Sequence, residues 1–190
     1  MPKLFNRISS FVVASQIDSN SNTDTETVAE IVAASTDGQT LVYSDSENKI
    51  IGFVDISDPA TPLGKGVVDV GGEPTSVAVK GNYALVTVNT SGDFINTSGQ
   101  LIAVNMSTKE ITKTWDIGGQ PDSIAISPDG NYAMIAIENE RDEDLGDGAP
   151  PQLPAGFVVV VDTSSDSLDA WSTSTAVSYT HLTLPTSTLV

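Results

Sequence analysis

A nine-residue segment occurs twice in this chain and constrains the fold more than any other feature. G-G-E-P-T-S-V-A-V at Gly71–Val79 returns as G-G-Q-P-D-S-I-A-I at Gly118–Ile126, with the two starts 47 residues apart. The flanks repeat as well. V-V-D-V at Val67–Val70 and T-W-D-I at Thr114–Ile117 precede the copies, and N-Y-A-L-V-T-V at Asn82–Val88 and N-Y-A-M-I-A-I at Asn131–Ile137 follow them. A third apolar run closes each unit, at Gln100–Asn105 and Phe157–Asp162. A more diverged copy lies upstream: Glu30–Tyr43 aligns with Asp122–Ile135, bringing Asp37-Gly38 onto Asp129-Gly130, and Ile51–Ile56 is its third run.

Each unit therefore holds four short runs rich in Val, Ile, Thr, Tyr and Phe, the residues that suit a pleated, half-buried surface. Asp-Gly and Gly-Asn pairs join neighbouring runs, as tight hairpins require. No stretch repeats at helical spacing, apart from one short turn expected at Ser167–Trp171. Four antiparallel strands recurring every forty-odd residues define a β-propeller blade. The fold expected is all-β: a β-propeller fragment of about three four-stranded antiparallel blades, not closed. The blades fall at about residues 26–72, 73–119 and 120–171. A strand at Arg7–Val13 sits where it would complete the last blade of a full ring. Val177–Thr186, V-S-Y-T-H-L-T-L-P-T, resembles a translated sequencing-library adapter, so residues 177–190 are set aside as a non-native tail. That tail contains His181, the single histidine.

Charge narrows the functional classes. There are 25 acidic and 8 basic side chains, a net charge of −17. Such a surface repels phosphate backbones, which excludes nucleic acid as a partner. With 39% hydrophobic and 17% charged residues the chain has the material for a core. No apolar run is long enough to span a membrane. Cysteine is absent, so there is neither a disulfide nor a thiolate metal site.

In a blade, the loop entering the first strand and the loop joining strands two and three lie on one face. That face collects Glu30, Glu73 and Asp122 from the entering loops, together with Asp45, Asn89 and the long Glu138–Ala155 loop. The last begins I-E-N-E-R-D-E-D-L-G-D-G, with six carboxylates around the lone Arg141. Carboxylates this dense either spread into water or share a cation. Hard oxygen donors select Ca²⁺ or Mg²⁺ over zinc or copper. The candidate ligands are Glu73, Asp122, Glu138, Glu140, Asp142, Asp144 and Asp147, with Ca²⁺ as the expected ion. Asp142-x-Asp144 followed by Asp147-Gly148 resembles half a calcium loop, and Asp18-x-Asn20-x-Asn22-x-Asp24 has similar spacing. Arg141 is the candidate for holding a substrate phosphate; its simpler role is to offset its acidic neighbours. Trp115, Tyr83 and Tyr132 are expected as core or strand-face residues. Asp55, Asn105 and Asp162 are expected to cap the turn after strand three. No catalytic residue is identified. Without a usable histidine, any hydrolysis here would use a metal-activated water.

Several segments resemble the secreted bacterial β-propeller family named for an esterase-like activity of phytase. They are T-V-A-E-I-V-A-A-S at Thr27–Ser35, I-G-F-V-D-I-S-D-P at Ile51–Pro59 and G-G-E-P-T-S-V at Gly71–Val77. They continue with G-G-Q-P-D-S-I-A-I-S at Gly118–Ser127, E-N-E-R-D-E-D at Glu138–Asp144 and P-A-G-F-V-V at Pro154–Val159. Anchor-associated and surface propellers share the blade motif. The resemblance implies a secreted or periplasmic protein and calcium-dependent hydrolysis of a small-molecule phosphoester on the loop face. The alternative is a non-catalytic extracytoplasmic binding or scaffold propeller, with a surface ligand as partner and a structural cation.

Overall fold

The computed structural model describes residues 6–17, 26–149 and 152–178. It contains three four-stranded antiparallel sheets, each a meander in chain order, and they do not close into a ring. The first comprises β1 (Ala29–Ala34), β2 (Thr40–Asp45), β3 (Ile50–Asp55) and β4 (Leu63–Asp69). The second comprises β5 (Glu73–Lys80), β6 (Tyr83–Asn89), β7 (Gly99–Asn105) and β8 (Ile111–Asp116). The third comprises β9 (Pro121–Ile126), β10 (Tyr132–Ile137), β11 (Phe157–Asp162) and β12 (Ser172–Ser178). The expected unclosed propeller fragment is what the chain forms.

The turns explain why the repeat folds the same way each time. Between β1 and β2, Ser35 Oγ donates to Asp37 Oδ1 at 2.6 Å and the Gln39 amide donates to the same oxygen at 3.0 Å. Between β9 and β10, Ser127 Oγ donates to Asp129 Oδ1 at 2.5 Å and the Asn131 amide at 3.1 Å. Gly38 and Gly130 follow at φ +70° and +72°, the left-handed region where a side chain is strained. After strand three, Asp55, Asn105 and Asp162 accept the amides of Ser57, Ser107 and Ser164 at 2.9 Å each, the capping role expected of them.

The core is two apolar layers, one between each pair of adjacent blades. Val42, Ile51 and Phe53 of the first blade meet Val77, Val86, Val88, Ile102 and Val104 of the second. Leu85, Leu101 and Ala103, on the other face of the second blade, meet Ile135, Ile137, Val159 and Val161 of the third. The middle sheet is thus buried on both faces, so β6 and β7 read as continuous apolar runs rather than alternating ones. Each fully buried Val, Leu or Ile contributes about 1.5–3 kcal/mol. The third blade is covered on one face alone: Ile135 is fully buried, while Tyr132 and Met134 of the same strand are exposed.

Two expectations about strand boundaries need correcting. Arg7–Val13 is not a strand. Residues 6–12 pair with no sheet, and Val13–Gln16 form a 3-10 turn. The segment lies across the first blade, held by a side chain in place of a ladder. Gln16 Oε1 accepts the Gly66 amide at 2.8 Å and Gln16 Nε2 donates to Tyr43 Oη at 3.2 Å. The fourth strand of blade three, β12, begins at Ser172, past the boundary at 171. Its first four residues, Ser172–Thr175, are all exposed, so S-T-S-T carries no apolar alternation. The short turn before it forms at Leu168–Ala170, inside the expected Ser167–Trp171. Val177 and Ser178, assigned above to a tail, pair in β12 with Val158 and Phe157. His181 and residues 179–190 lie outside the described residues.

Candidate functional site

Neighbouring first strands bring their loop-face ends together. The ladders pair Glu73 with Asn89 and Pro121 with Ile137, and the Glu138 amide donates to Gln120 O at 2.9 Å. Asn89 and Glu138 therefore hold corresponding positions, as do Glu73 and Gln120. A cleft of about 200 Å³ opens between these ends. Glu30 from β1, Glu73 from β5, Asp122 from β9, and Glu138 and Glu140 beyond β10 all line it. Four of the seven proposed ligands thus face one space, with Glu30 added from the first blade.

The remaining three separate. Asp142 and Asp144 line a second, larger cleft of about 770 Å³, which Glu138, Glu140, Arg141 and Phe94 also line. Asp147 lines neither cleft and accepts the Ala149 amide at 3.1 Å, a local turn role. Asp142 Oδ1 is likewise engaged by the Asp144 amide at 2.9 Å. Asp45, also expected on this face, is fully buried and turned inward. It accepts the Asn48 and Val28 amides, each at 3.2 Å, and occupies a level of the ladder where the other blades place Val88 and Ile137.

Among the described residues no three His, Cys, Asp or Glu side chains converge closely enough to hold a metal ion. The clefts offer the right donor chemistry for a hard cation, but the carboxylates are spread around the walls and form no ready ligand set. The Asp18–Asp24 segment lies outside the described residues. Arg141 Nη2 contacts Glu143 Oε1 at 3.1 Å, with both side chains substantially in water, so its positive charge already has a partner.

The acidic loop has a defined path because three amides clamp it. Gln120 is 7% exposed; its Oε1 accepts the Glu140 amide at 2.6 Å. Asn139 Oδ1 accepts the Gln120 amide at 2.8 Å and Asn139 Nδ2 donates to Ala155 O at 2.9 Å. Gln152 grips Asp142 from both sides: Oε1 accepts its amide at 2.8 Å and Nε2 donates to its carbonyl at 2.9 Å. Asn139 sits at φ +51°. Gly119 makes room for it, since a Cβ there would lie 2.7 Å from Asn139 Oδ1 and 2.3 Å from Ile137 Cγ2. These clamping residues escaped the sequence reading. One signal was present: the repeat sets Gln120 against Glu73, a charge lost where the long loop must be held.

Comparison with known proteins adds a family. A family model described as a choice-of-anchor I domain matches residues 30–188, most of the chain. No curated protein matches it. Among solved structures, a chain of Kuenenia stuttgartiensis hydrazine synthase is similar over 77% of this chain, at 14% identity and a TM-score of 0.41. The match spans 53% of that chain. At this level the similarity carries no argument about function.

Proposed function

We propose, from the premise that this chain belongs to the choice-of-anchor I domain family, that it is a non-catalytic binding propeller of the cell surface or another extracytoplasmic space. The family shown is an anchor-associated one, and the phytase-like resemblance gains no support from it. Binding is assigned to the loop face. The observation that carries this is the convergence of strand ends from three blades on one cleft beside a long loop held by Gln120, Asn139 and Gln152. A loop of that length placed by a rigid scaffold and fixed by side-chain amides suits recognition. Turnover has less to support it. Arg141 is paired to Glu143, and among the described residues no three carboxylates form a metal-ligand set that would activate a water.

A structural cation such as Ca²⁺ remains part of the proposal. It would draw Glu73, Asp122, Glu138 and Glu140 inward from the positions they hold and relieve their mutual repulsion. Two assays separate the readings. Purified protein with Ca²⁺ is expected to release no product from p-nitrophenyl phosphate or p-nitrophenyl acetate above buffer. The same protein is expected to be retained on isolated bacterial envelope, and a Gln120→Ala, Asn139→Ala double variant to be retained less. Steady, enzyme-proportional product release would instead establish the phosphoesterase reading.

A further inference from the structure

This inference rests on the loop-face reading and adds the chemistry of the partner. A third cleft, about 610 Å³, adjoins the large acidic one. The two share Pro154, Ala155 and Gly156 as a common wall. Their other linings differ in kind. The acidic cleft carries Glu138, Glu140, Asp142, Glu143 and Asp144, against one cation, Arg141, which is paired to Glu143. Its neighbour is lined by Ile95, Leu153, Phe157 and Thr175, with no charged side chain. Ile95 and Leu153 are each 70% exposed, so the apolar cleft presents aliphatic surface directly to water. Contiguous surface of this type is a mark of an interaction site, whereas a single exposed aliphatic is not.

The loop between β6 and β7 reaches both clefts, through Phe94 on the acidic side and Ile95 on the apolar side. Its tip is held in shape. Asp93 Oδ1 accepts the amides of Ile95 at 2.8 Å and Asn96 at 2.5 Å. Ser91 Oγ accepts the Ser98 amide at 2.9 Å and donates to Ser98 O at 3.1 Å, closing the loop at its base. Little ordering remains to be done when a partner arrives, which favours binding.

Charge selects the partner. A net charge of −17 and an acidic wall repel anionic lipid and nucleic acid. An ammonium or guanidinium is attracted by the carboxylates and by the face of Phe94, which is 39% exposed. The apolar cleft beside it takes an aliphatic or aromatic group. A small amine would fill one cleft; occupying both requires cation and apolar group in succession along one chain. The geometry points to a polypeptide segment that places Lys or Arg next to an apolar side chain and lies across both clefts.

Fluorescence anisotropy with the full chain tests this. The probe is a labelled hexapeptide carrying a Leu-Ile pair between two lysines. One control replaces both lysines by glutamate; the other replaces the Leu-Ile pair by serines. The lysine–apolar peptide is expected to bind at least about tenfold more tightly than either control. Raising salt is expected to weaken it without abolishing binding. An Ile95→Ser, Leu153→Ser double variant removes side chains that lie mostly in water, and an unchanged melting midpoint checks that it folds. It is expected to weaken the lysine–apolar peptide about tenfold and leave the serine control unchanged. Equal binding of the serine control, or no effect of the double variant, overturns the inference. So does tighter binding to anionic vesicles than to the peptide. If no peptide binds but envelope material still protects the loop face, the partner class is wrong and the binding-propeller reading stands. If neither binds, both fall.

Discussion

Trp115 and Trp171 stack with ring centroids 5.6 Å apart and planes 15° from parallel. Trp115 lies on β8, the outer strand of the second blade, and Trp171 immediately precedes β12, the outer strand of the third. The pair therefore joins neighbouring blades through their outer strands. Trp171 is 6% exposed, and its indole Nε1 donates to Ser165 O at 2.7 Å. Lys113 Nζ contacts Asp169 Oδ1 at 2.6 Å across the same seam.

Trp171→Ala is expected to destabilise the fold by about 3–5 kcal/mol, the range for emptying a buried aromatic site. Trp115→Ala, at a partly buried position, is expected to cost less. A double-mutant cycle by urea unfolding is expected to give a coupling of about 0.5–1.5 kcal/mol, the worth of an aromatic pair beyond area burial. Additivity of the two changes would mean that the rings merely lie near one another.

Gln120→Ala is expected to release the acidic loop while leaving the sheets in place. It leaves the Glu140 amide without its side-chain acceptor, a loss of about 0.5–1.5 kcal/mol for a part-buried hydrogen bond. Hydrogen exchange is the readout. Amides of Glu140 and Asp142 are expected to exchange faster, with β6 and β7 unchanged. Uniform acceleration across all strands would show instead that Gln120 supports the core.

Asp122→Asn and Glu140→Gln remove charge from the cleft of about 200 Å³, which carboxylates from three blades line. Each is expected to raise the thermal midpoint at low salt, with the gain shrinking as added salt screens the repulsion. If Ca²⁺ occupies that cleft, it raises the wild-type midpoint relative to chelator, and both variants lose the increment. An increment that persists in both variants would place the ion elsewhere.

Acid stability follows from the turns. The Ser127 hydroxyl and the Asn131 amide hold the Asp129 carboxyl below the ordinary carboxylate value of 3.8. Asp37 is lowered in the same way, first by the Ser35 hydroxyl and then by the Gln39 amide. A carboxyl lowered in the folded state stabilises it above the unfolded value, and that contribution is lost as pH falls through the folded value. Stability is therefore expected to decline as pH drops below about 3.8, the ordinary carboxylate value. Asp129→Asn is expected to flatten the decline in urea-unfolding series across pH 2–5. An unchanged slope would remove the turn from the acid response.

The repeat made the strands legible because two copies of a pattern average out local accident. Phe157–Asp162 forms at the residues expected, and Asp55, Asn105 and Asp162 cap turns as their recurrence suggested. What failed depends on pairing rather than pattern. Arg7–Val13 has strand-like residues, yet a strand requires a free edge in register, and Gln16 ties the segment across the first blade by other means. β12 lacked a signal because Ser172–Thr175 lie exposed. The site was legible as a face but not as a geometry. The sequence placed Glu73, Asp122, Glu138 and Glu140 together, but could not show that Asp142 and Asp144 line the other cleft or that Asp147 turns away. The clamp of Gln120, Asn139 and Gln152 was hidden because isolated amides in loops look like ordinary polar surface.

Carboxyl footprinting of the protein, free and retained on bacterial envelope, tests the binding-propeller account most directly. Labelling of each Asp and Glu is read by mass spectrometry. The account predicts protection of Glu138, Glu140, Asp142, Glu143 and Asp144 on the loop face. It predicts unchanged labelling of Asp37 and Asp129, in turns at the opposite ends of the strands. Protection of Asp37 and Asp129 with the acidic loop still fully labelled would contradict it.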